Sequence, residues 1–272
     1  MGFFEQSMQL LIDASYKQGG TLEVQDIADF IKFLREHEQD AHVPFMGQNG
    51  SGKSIAAWIV NKRVGRFDLK KNMIFPYHPV QHLIQQITQR QGTSFQIDEL
   101  GNFFPYKLSM SYDQIALFNA IEVARSNRNS FIGCTRDILR INNNYRNGKA
   151  QLLIWILDRN DKGSLAVVLL GNPLFETEDK FMVSLIRPSY SLNDITQQIE
   201  KLPTFIGYLF FDDYHKYITD EEMNEYKRLK AKGMQAVSDQ HQQRLNVRQA
   251  KENMLLKKFG DSQNQSRMSQ WE

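Results

Sequence analysis

Residues 47–54 have the sequence GQNGSGKS, which constrains the chain more than any other feature. It fills every fixed position of the Walker A pattern GxxxxGK[ST]. In this pattern glycines let backbone N–H groups converge on a phosphate chain. An apolar segment at 42–46 precedes the loop, and the apolar run IAAWIV at 55–60 follows it. Strand, loop and helix are the context in which this pattern binds phosphate, so we predict a nucleoside triphosphate site here.

The residue types of the loop have separate expected roles. Backbone N–H groups would surround the phosphates, the Lys53 ammonium would reach the β- and γ-phosphates, and the Ser54 hydroxyl would hold Mg²⁺. The expected ligands are therefore ATP and Mg²⁺. The predicted nucleotide-binding residues are Gly47, Gln48, Asn49, Gly50, Ser51, Gly52, Lys53 and Ser54.

A second apolar segment, FQI at 95–97, ends in two adjacent carboxylates, Asp98 and Glu99. Asp98 fits the Walker B acid that positions Mg²⁺ at a strand tip, so Ser54 and Asp98 are the predicted metal ligands. Glu99 fits the base that activates an attacking water. Such a pair suits hydrolysis of the nucleotide, which favours a Mg²⁺-dependent ATPase and disfavours a small-molecule kinase.

Composition limits the other classes of protein. A chain of 272 residues with 41% hydrophobic residues can form one large domain with appendages. A net charge of +2 excludes a uniformly basic nucleic-acid binder, and the single cysteine, Cys134, excludes an internal disulfide. No apolar run approaches the roughly 20 residues that span a bilayer, and no secretory signal is recognisable. We therefore expect no membrane segment and a cytoplasmic location, in the host cytoplasm if the protein is viral.

Alternating strand and helix patterns predict an α/β fold with a mostly parallel central sheet. Apolar runs at 152–157 and 165–170 predict an antiparallel hairpin extension, and 181–186 predicts a further strand. N-terminal helices are predicted at 3–16 and 24–35.

A long, polar C-terminal helix is predicted over 219–258, opened by a Thr219 and Glu222 capping box. The predicted division is an N-terminal helical segment at 1–41, a P-loop ATPase core at 42–211, and a C-terminal helical arm with a polar tail at 212–272.

The motifs GQNGSGKS and IDEL, with the element order over residues 43–170, resemble the FtsK–HerA superfamily of P-loop motor ATPases. That family belongs to the additional-strand, RecA-like group. Its acidic strand is followed by a helix that ends near an arginine, then by a strand with a polar tip that senses the γ-phosphate. The resemblance places Arg125 or Arg128 in a neighbour's site and Thr135 at the sensor tip. The implied catalytic residues are Glu99, Lys53, Arg125, Arg128 and Thr135.

The resemblance implies an ATP-hydrolysing motor that translocates or packages DNA for virus assembly or plasmid transfer. It would act as a ring, expected to be a hexamer, on double-stranded DNA without reading its sequence. Arg136, Arg140 and Arg146 are candidates for lining a pore and touching phosphates. The C-terminal helix is a candidate contact for a capsid, portal or secretion partner.

A different class of function stays open. A P-loop switch or nucleotide-dependent assembly scaffold, including an ATPase of the filamentous-phage assembly type, would use the same loop without pumping DNA. Glu99 separates the two classes, because a module that only binds nucleotide needs no acid to activate water.

Overall fold

A computed structural model describes residues 3–106, 111–171, 179–189 and 191–233, together with residues 235, 239 and 249. Met1–Tyr226 form one compact unit and Lys227–Glu272 form a second. The predicted end of the C-terminal helix at residue 258 and the polar tail lie outside the described residues. The domain boundaries predicted at 41/42 and 211/212 stay predictions.

The centre of the first unit is one sheet of eight strands. Its middle strands are buried at every position, as expected for parallel strands that are covered on both faces. The strands are β1 (Thr21–Leu22), β2 (Ala41–Met46), β3 (Met73–Ile74), β4 (Ser94–Ile97), β5 (Ser130–Thr135), β6 (Leu152–Asn160), β7 (Gly163–Leu170) and β8 (Phe205–Asp212).

The strand order is β1-β8-β7-β6-β2-β5-β4-β3. Strand β7 runs antiparallel to both of its neighbours, β6 and β8, and every other neighbouring pair is parallel. The predicted mostly parallel sheet with a hairpin extension is therefore confirmed. Strand β5 lies between β2, which leads into the loop at 47–52, and β4, which leads into Asp98. One strand therefore separates the strand before the loop from the strand before the two carboxylates.

Helices cover the sheet and confirm the predicted N-terminal pair. Among the described residues, none of the helices has the length and apolar character to cross a membrane. The helices are α1 (Phe3–Lys17), α2 (Val24–Glu36), α3 (Lys53–Val64), α4 (Leu69–Asn72), α5 (Val80–Gln89), α6 (Leu100–Phe103), α7 (Tyr112–Val123), α8 (Asn143–Gly148) and α9 (Leu192–Glu200), followed by helical residues 220–233.

The capping box that was predicted at Thr219 is confirmed. The Glu222 N–H donates to the Thr219 hydroxyl at 3.2 Å, and the Thr219 N–H donates to Glu222 Oε2 at 3.0 Å. These two bonds satisfy donors that the start of a helix leaves without intrahelical partners.

The strand predicted at 181–186 is wrong. Asp179 accepts hydrogen bonds from the N–H groups of Phe181 and Ser184, which bends the chain into a turn. Phe181 is fully buried and Val183–Leu185 form a 3-10 turn. The apolar residues of this segment therefore anchor it to the core without joining the sheet.

Gly133, in the middle of β5, lets α6 approach the sheet. A Cβ at this position would lie 2.4 Å from both Cγ and Cδ2 of Leu100, which is fully buried. Because Leu100 follows Asp98 and Glu99, this close packing fixes the chain directly after the two carboxylates.

We predict that Gly133→Ala destabilises the protein by about 1–3 kcal/mol, because the added methyl overpacks the site of Leu100. Gly148→Ala is the matched control, since a Cβ there meets no atom within 4 Å, and it should stay within about 1 kcal/mol of the parent. Denaturant unfolding measures both. Equal stability of the two variants would contradict the tight packing at Gly133.

Candidate nucleotide-binding site

The loop at 47–52 connects the buried end of β2 to the start of α3. Gly52 has φ 87°, a left-handed conformation that glycine adopts at little cost. Gly47 approaches its surroundings closely, because a Cβ there would lie 2.8 Å from Ser51 Oγ and 3.0 Å from the Ile156 carbonyl oxygen. The Ser51 hydroxyl is buried and has no hydrogen-bond partner among the described residues. A backbone cradle at the N-terminus of a helix with a spare hydroxyl fits a phosphate chain.

Lys53 opens α3 and carries the one ammonium group of the loop. Its Nζ donates to the Gln48 carbonyl at 3.1 Å, so the ammonium lies over the same loop. A long, flexible side chain in this place can exchange a carbonyl partner for a phosphate oxygen.

Ser54 and Asp98 come from different elements and meet. The Ser54 hydroxyl, in the first turn of α3, donates to Asp98 Oδ1, beyond the end of β4, at 2.7 Å. Adjacent oxygens around Mg²⁺ lie about 2.9 Å apart, as its octahedral geometry requires. Among the described residues, no group of three or more His, Cys, Asp or Glu side chains could hold a metal ion. The Ser54–Asp98 pair fits Mg²⁺, which binds through few protein oxygens and takes the rest from phosphates and water.

A layer of buried polar side chains holds α3 against the sheet. Gln96, in β4, donates to the Ser54 carbonyl at 2.8 Å and accepts a bond from Asn61 Nδ2 at 3.3 Å. Asn61 also accepts a bond from Ser94, whose hydroxyl pairs with that of Ser130 at 2.8 Å. Buried polar groups that are satisfied in this way fix one geometry, so the layer sets the position of Ser54.

Glu99 lies beside Asp98 at the carboxyl end of β4, directly before α6, and is partly exposed. Its Oε1 comes within 3.4 Å of the place that a Cβ at Gly101 would occupy. Thr135 ends β5 next to Met46, and its carbonyl accepts the Gly47 N–H at 3.3 Å. The structure therefore brings Glu99 and Thr135 to the same edge of the sheet as the loop.

The Thr135 hydroxyl forms hydrogen bonds within the turn that follows β5. It donates to the Asp137 carbonyl at 3.0 Å and accepts the Asp137 N–H at 3.3 Å. Its neighbour Cys134, which was not predicted as a site residue, is fully buried beside Ser54 and Asp98. Burial, with the Asp98 carboxylate as the next cause, raises the pKa of the Cys134 thiol, so it is neutral beside the carboxylate.

Arg125 and Arg128 lie away from this edge. They precede β5 at its amino end, and a strand of six residues spans about 20 Å. Arg125 Nε donates to Gln39 Oε1 at 3.1 Å, and Arg128 forms an ion pair with Glu38. The structure does not bring either arginine to the loop of its own chain.

The expectation that Arg146 lines a pore is wrong. Arg146 is 4% exposed, and its guanidinium donates to Asn147 Oδ1 at 3.2 Å and to the Leu139 carbonyl at 3.4 Å. Burial lowers the pKa of Arg146, with the neighbouring acid Asp179 acting in the opposite direction. Arg136 and Arg140 are exposed, as that expectation requires.

Two residues of the β6–β7 hairpin reach the loop, and sequence reasoning missed both. Arg159 Nη1 donates to the Gly50 carbonyl and the Ser164 hydroxyl donates to the Ser51 carbonyl, each at 3.3 Å. No local motif marks them, because both contacts depend on the placement of β6 beside β2.

A cavity of about 590 Å³ lies beside the loop and is open to solvent. It extends from Gly52 and Ile55 past Arg159 to the turn that follows β8. In that turn the rings of Tyr214 and His215 lie 4.1 Å apart with an interplanar angle of 30°. The cavity is therefore bounded by the phosphate loop, residues 47–52, on one side and by the rings of Tyr214 and His215 on the other.

Comparison with protein-family models finds no match. Comparison with curated proteins finds none either. Among solved structures, the genome packaging NTPase B204 from Sulfolobus turreted icosahedral virus 2, in complex with ATP-gammaS, is 16% identical at a TM-score of 0.35. That similarity covers 51% of this chain and 94% of the viral chain.

The N-terminal domain of zonular occludens toxin from Neisseria meningitidis is 12% identical at a TM-score of 0.38, covering 58% of this chain and 98% of that one. The strand order of this chain by itself establishes the α/β fold.

We predict that Asp98→Asn weakens ATP binding about tenfold or more in Mg²⁺, since a charged metal ligand is removed, and leaves it almost unchanged in EDTA. Asp158→Asn, at an exposed acid in β6, is the control for the change in net charge. Titration with a fluorescent ATP analogue measures both. An equal loss in EDTA would show that Asp98 acts through the fold and not through the metal.

Proposed function

We propose that the chain is a Mg²⁺-dependent ATPase of the FtsK–HerA type that acts as a motor on DNA. The observation that carries the proposal is the 2.7 Å contact between the Ser54 hydroxyl and Asp98, beside the phosphate loop and Glu99. A metal pair next to a second carboxylate supports hydrolysis, whereas a module that only binds nucleotide needs no such acid.

In this proposal the N–H groups of the loop bind the phosphates, and Lys53 leaves the Gln48 carbonyl to reach the β- and γ-phosphates. Ser54 and Asp98 hold Mg²⁺, which neutralises charge on the phosphate oxygens when it is bound. Glu99 orients a water and accepts its proton, and Thr135 senses the γ-phosphate.

The nucleoside would lie in the cavity beside the loop. A purine is flat, and the Tyr214 ring offers a surface on which it can stack. Arg159 joins the cavity to the loop through the Gly50 carbonyl, so it would position the phosphates relative to the base. These contacts support a nucleoside triphosphate as the ligand in preference to a bare phosphate.

The motor would be a ring, which we expect to be a hexamer. Arg125 and Arg128 lie at the amino edge of the sheet, so neither can serve its own loop. In a head-to-tail ring the surface of one subunit completes the site of the next, and an arginine there would stabilise charge on the γ-phosphate. The family resemblance suggests double-stranded DNA as the substrate, and virus assembly or plasmid transfer as the process. The proposed cytoplasmic location is the one expected from the sequence.

The second candidate is a nucleotide-dependent assembly scaffold or switch that does not pump DNA. The helical residues 220–233, opened by a satisfied capping box, favour a role in contacting a partner. A capsid, portal or secretion component is the kind of partner that the resemblance suggests.

We predict that Glu99→Gln lowers kcat for ATP hydrolysis by about 100-fold to 10,000-fold, because water loses its base, while ATP affinity changes little. A phosphate-release assay and an ATP-binding titration measure the two effects. Lys53→Ala is the control that should lose binding as well. Turnover of Glu99→Gln at the parent rate would contradict the role of Glu99, and a change in assembly alone would favour the scaffold.

A further inference from the structure

A second polar cavity, of about 340 Å³, lies at the amino edge of the sheet, away from the phosphate loop. The ends of α2 and α3 form one side of it, and the turns that precede β4 and β5 form the other. Four basic side chains and one acidic side chain line it. They are Lys32, Arg35, Arg66 and Arg128, with Glu36 as the acid.

Two guanidinium groups converge on one glycine in this cavity. A Cβ at Gly92 would lie 2.6 Å from Arg66 Nη1 and 3.2 Å from Arg35 Nη2. Burial lowers the pKa of Arg35, and the charge of Arg66 lowers it further. Two like charges this close repel each other, and an anion bound between them would offset that repulsion.

Negative charges of the protein neutralise these four basic side chains only in part. Arg128 forms an ion pair with Glu38, and Lys32 forms one with Asp29 at 3.3 Å. The Arg66 side chain is exposed, and its guanidinium has neither an ion pair nor a hydrogen bond with any described residue. The carboxyl ends of α2 and α3 add only partial negative charges of roughly one half each. The cavity therefore keeps an excess of positive charge.

Guanidinium donors without a protein partner accompany this charge. Arg35 donates one bond to the Gly92 carbonyl, which leaves further N–H groups of its guanidinium facing the cavity. Arg128 Nε is buried and has no hydrogen-bond partner in the described part of the chain. Arginine donors arranged as a fork match the oxygens of a phosphate or carboxylate.

The backbone at this cavity is strained. Arg66 and Arg128 both have φ 55°, in the left-handed region that glycine adopts far more readily than arginine. Only four described residues other than glycine have positive φ, and two of them line this one cavity. Backbone strain of this kind clusters at ligand-binding sites, where the function of the residue offsets the free energy that the strain costs.

We propose that this arginine cavity binds a phosphate group. The ligand chemistry is a tetrahedral oxyanion held by the guanidinium groups of Arg35 and Arg66, with Arg128 as a third donor. The group would come from a phosphodiester of a nucleic-acid backbone or from free inorganic phosphate. The site is separate from the nucleotide site of the proposed function, because the two lie at opposite edges of the sheet.

Arg66→Gly is the test variant, because glycine removes the guanidinium and also relieves the positive φ. Its thermal unfolding temperature should equal or exceed that of the parent, so weaker binding would not reflect a failure to fold. Arg187→Ala, at an exposed arginine outside the cavity, is the control for net charge. All variants are also made in a Lys53→Ala background, which removes phosphate binding by the loop and keeps the two sites distinguishable.

The probes are inorganic phosphate, followed by calorimetry, and a short DNA duplex, followed by fluorescence anisotropy over a series of salt concentrations. Arg66→Gly is expected to weaken phosphate binding at least about tenfold, while Arg187→Ala leaves it unchanged. If the phosphate comes from DNA, the slope of log affinity against log salt falls by about 0.9 for each DNA phosphate that the variant no longer neutralises.

Three outcomes decide the proposal. A loss of phosphate binding with a smaller salt slope supports a site for a nucleic-acid backbone. The same loss with an unchanged slope supports a site for free phosphate. Binding of both probes by Arg66→Gly at the level of Arg187→Ala would overturn the proposal, even if nucleotide binding at the loop were intact.

Discussion

The hydrogen bond between the Ser54 hydroxyl and Asp98 joins two parts of the fold that β5 keeps apart. Strand β2 carries the phosphate loop and β4 carries the carboxylates, yet they are not neighbours in the sheet. The contact is possible because α3 packs over β2, β5 and β4, and Gln96 holds its first turn through the Ser54 carbonyl. The candidate nucleotide site therefore depends on one packing arrangement, in which a layer of buried polar side chains sets the position of α3.

The two edges of the sheet carry different chemistry. The carboxyl edge gathers the loop, Asp98, Glu99 and Thr135, as expected for parallel strands whose carboxyl ends form ligand sites. The amino edge gathers arginines, among them Arg66 and Arg128 in strained backbone conformations. In the proposed ring, the positive charge at the amino edge of one subunit would face the nucleotide site of the next.

The sequence predicted those features that depend only on a short segment of the chain. The loop at 47–54, the acidic end of the strand at 95–97 and the hairpin of β6 and β7 each have a pattern within a short segment. Contacts that depend on which strands are neighbours in the sheet have no such local pattern. For that reason the sequence did not predict the roles of Arg159, Ser164 and the Asn61–Gln96 pair. The predicted strand at 181–186 failed because the Asp179 turn outweighs apolar character, and the pore role of Arg146 failed because the side chain is buried.

The rate of ATP hydrolysis by the purified chain, measured at steady state with and without double-stranded DNA, tests the proposed motor most directly. Lys53→Ala serves as the blank, because it removes the charge that reaches the phosphates. The proposal predicts turnover that DNA stimulates and that the blank lacks. Nucleotide binding with negligible turnover under both conditions would contradict a motor and favour the assembly scaffold.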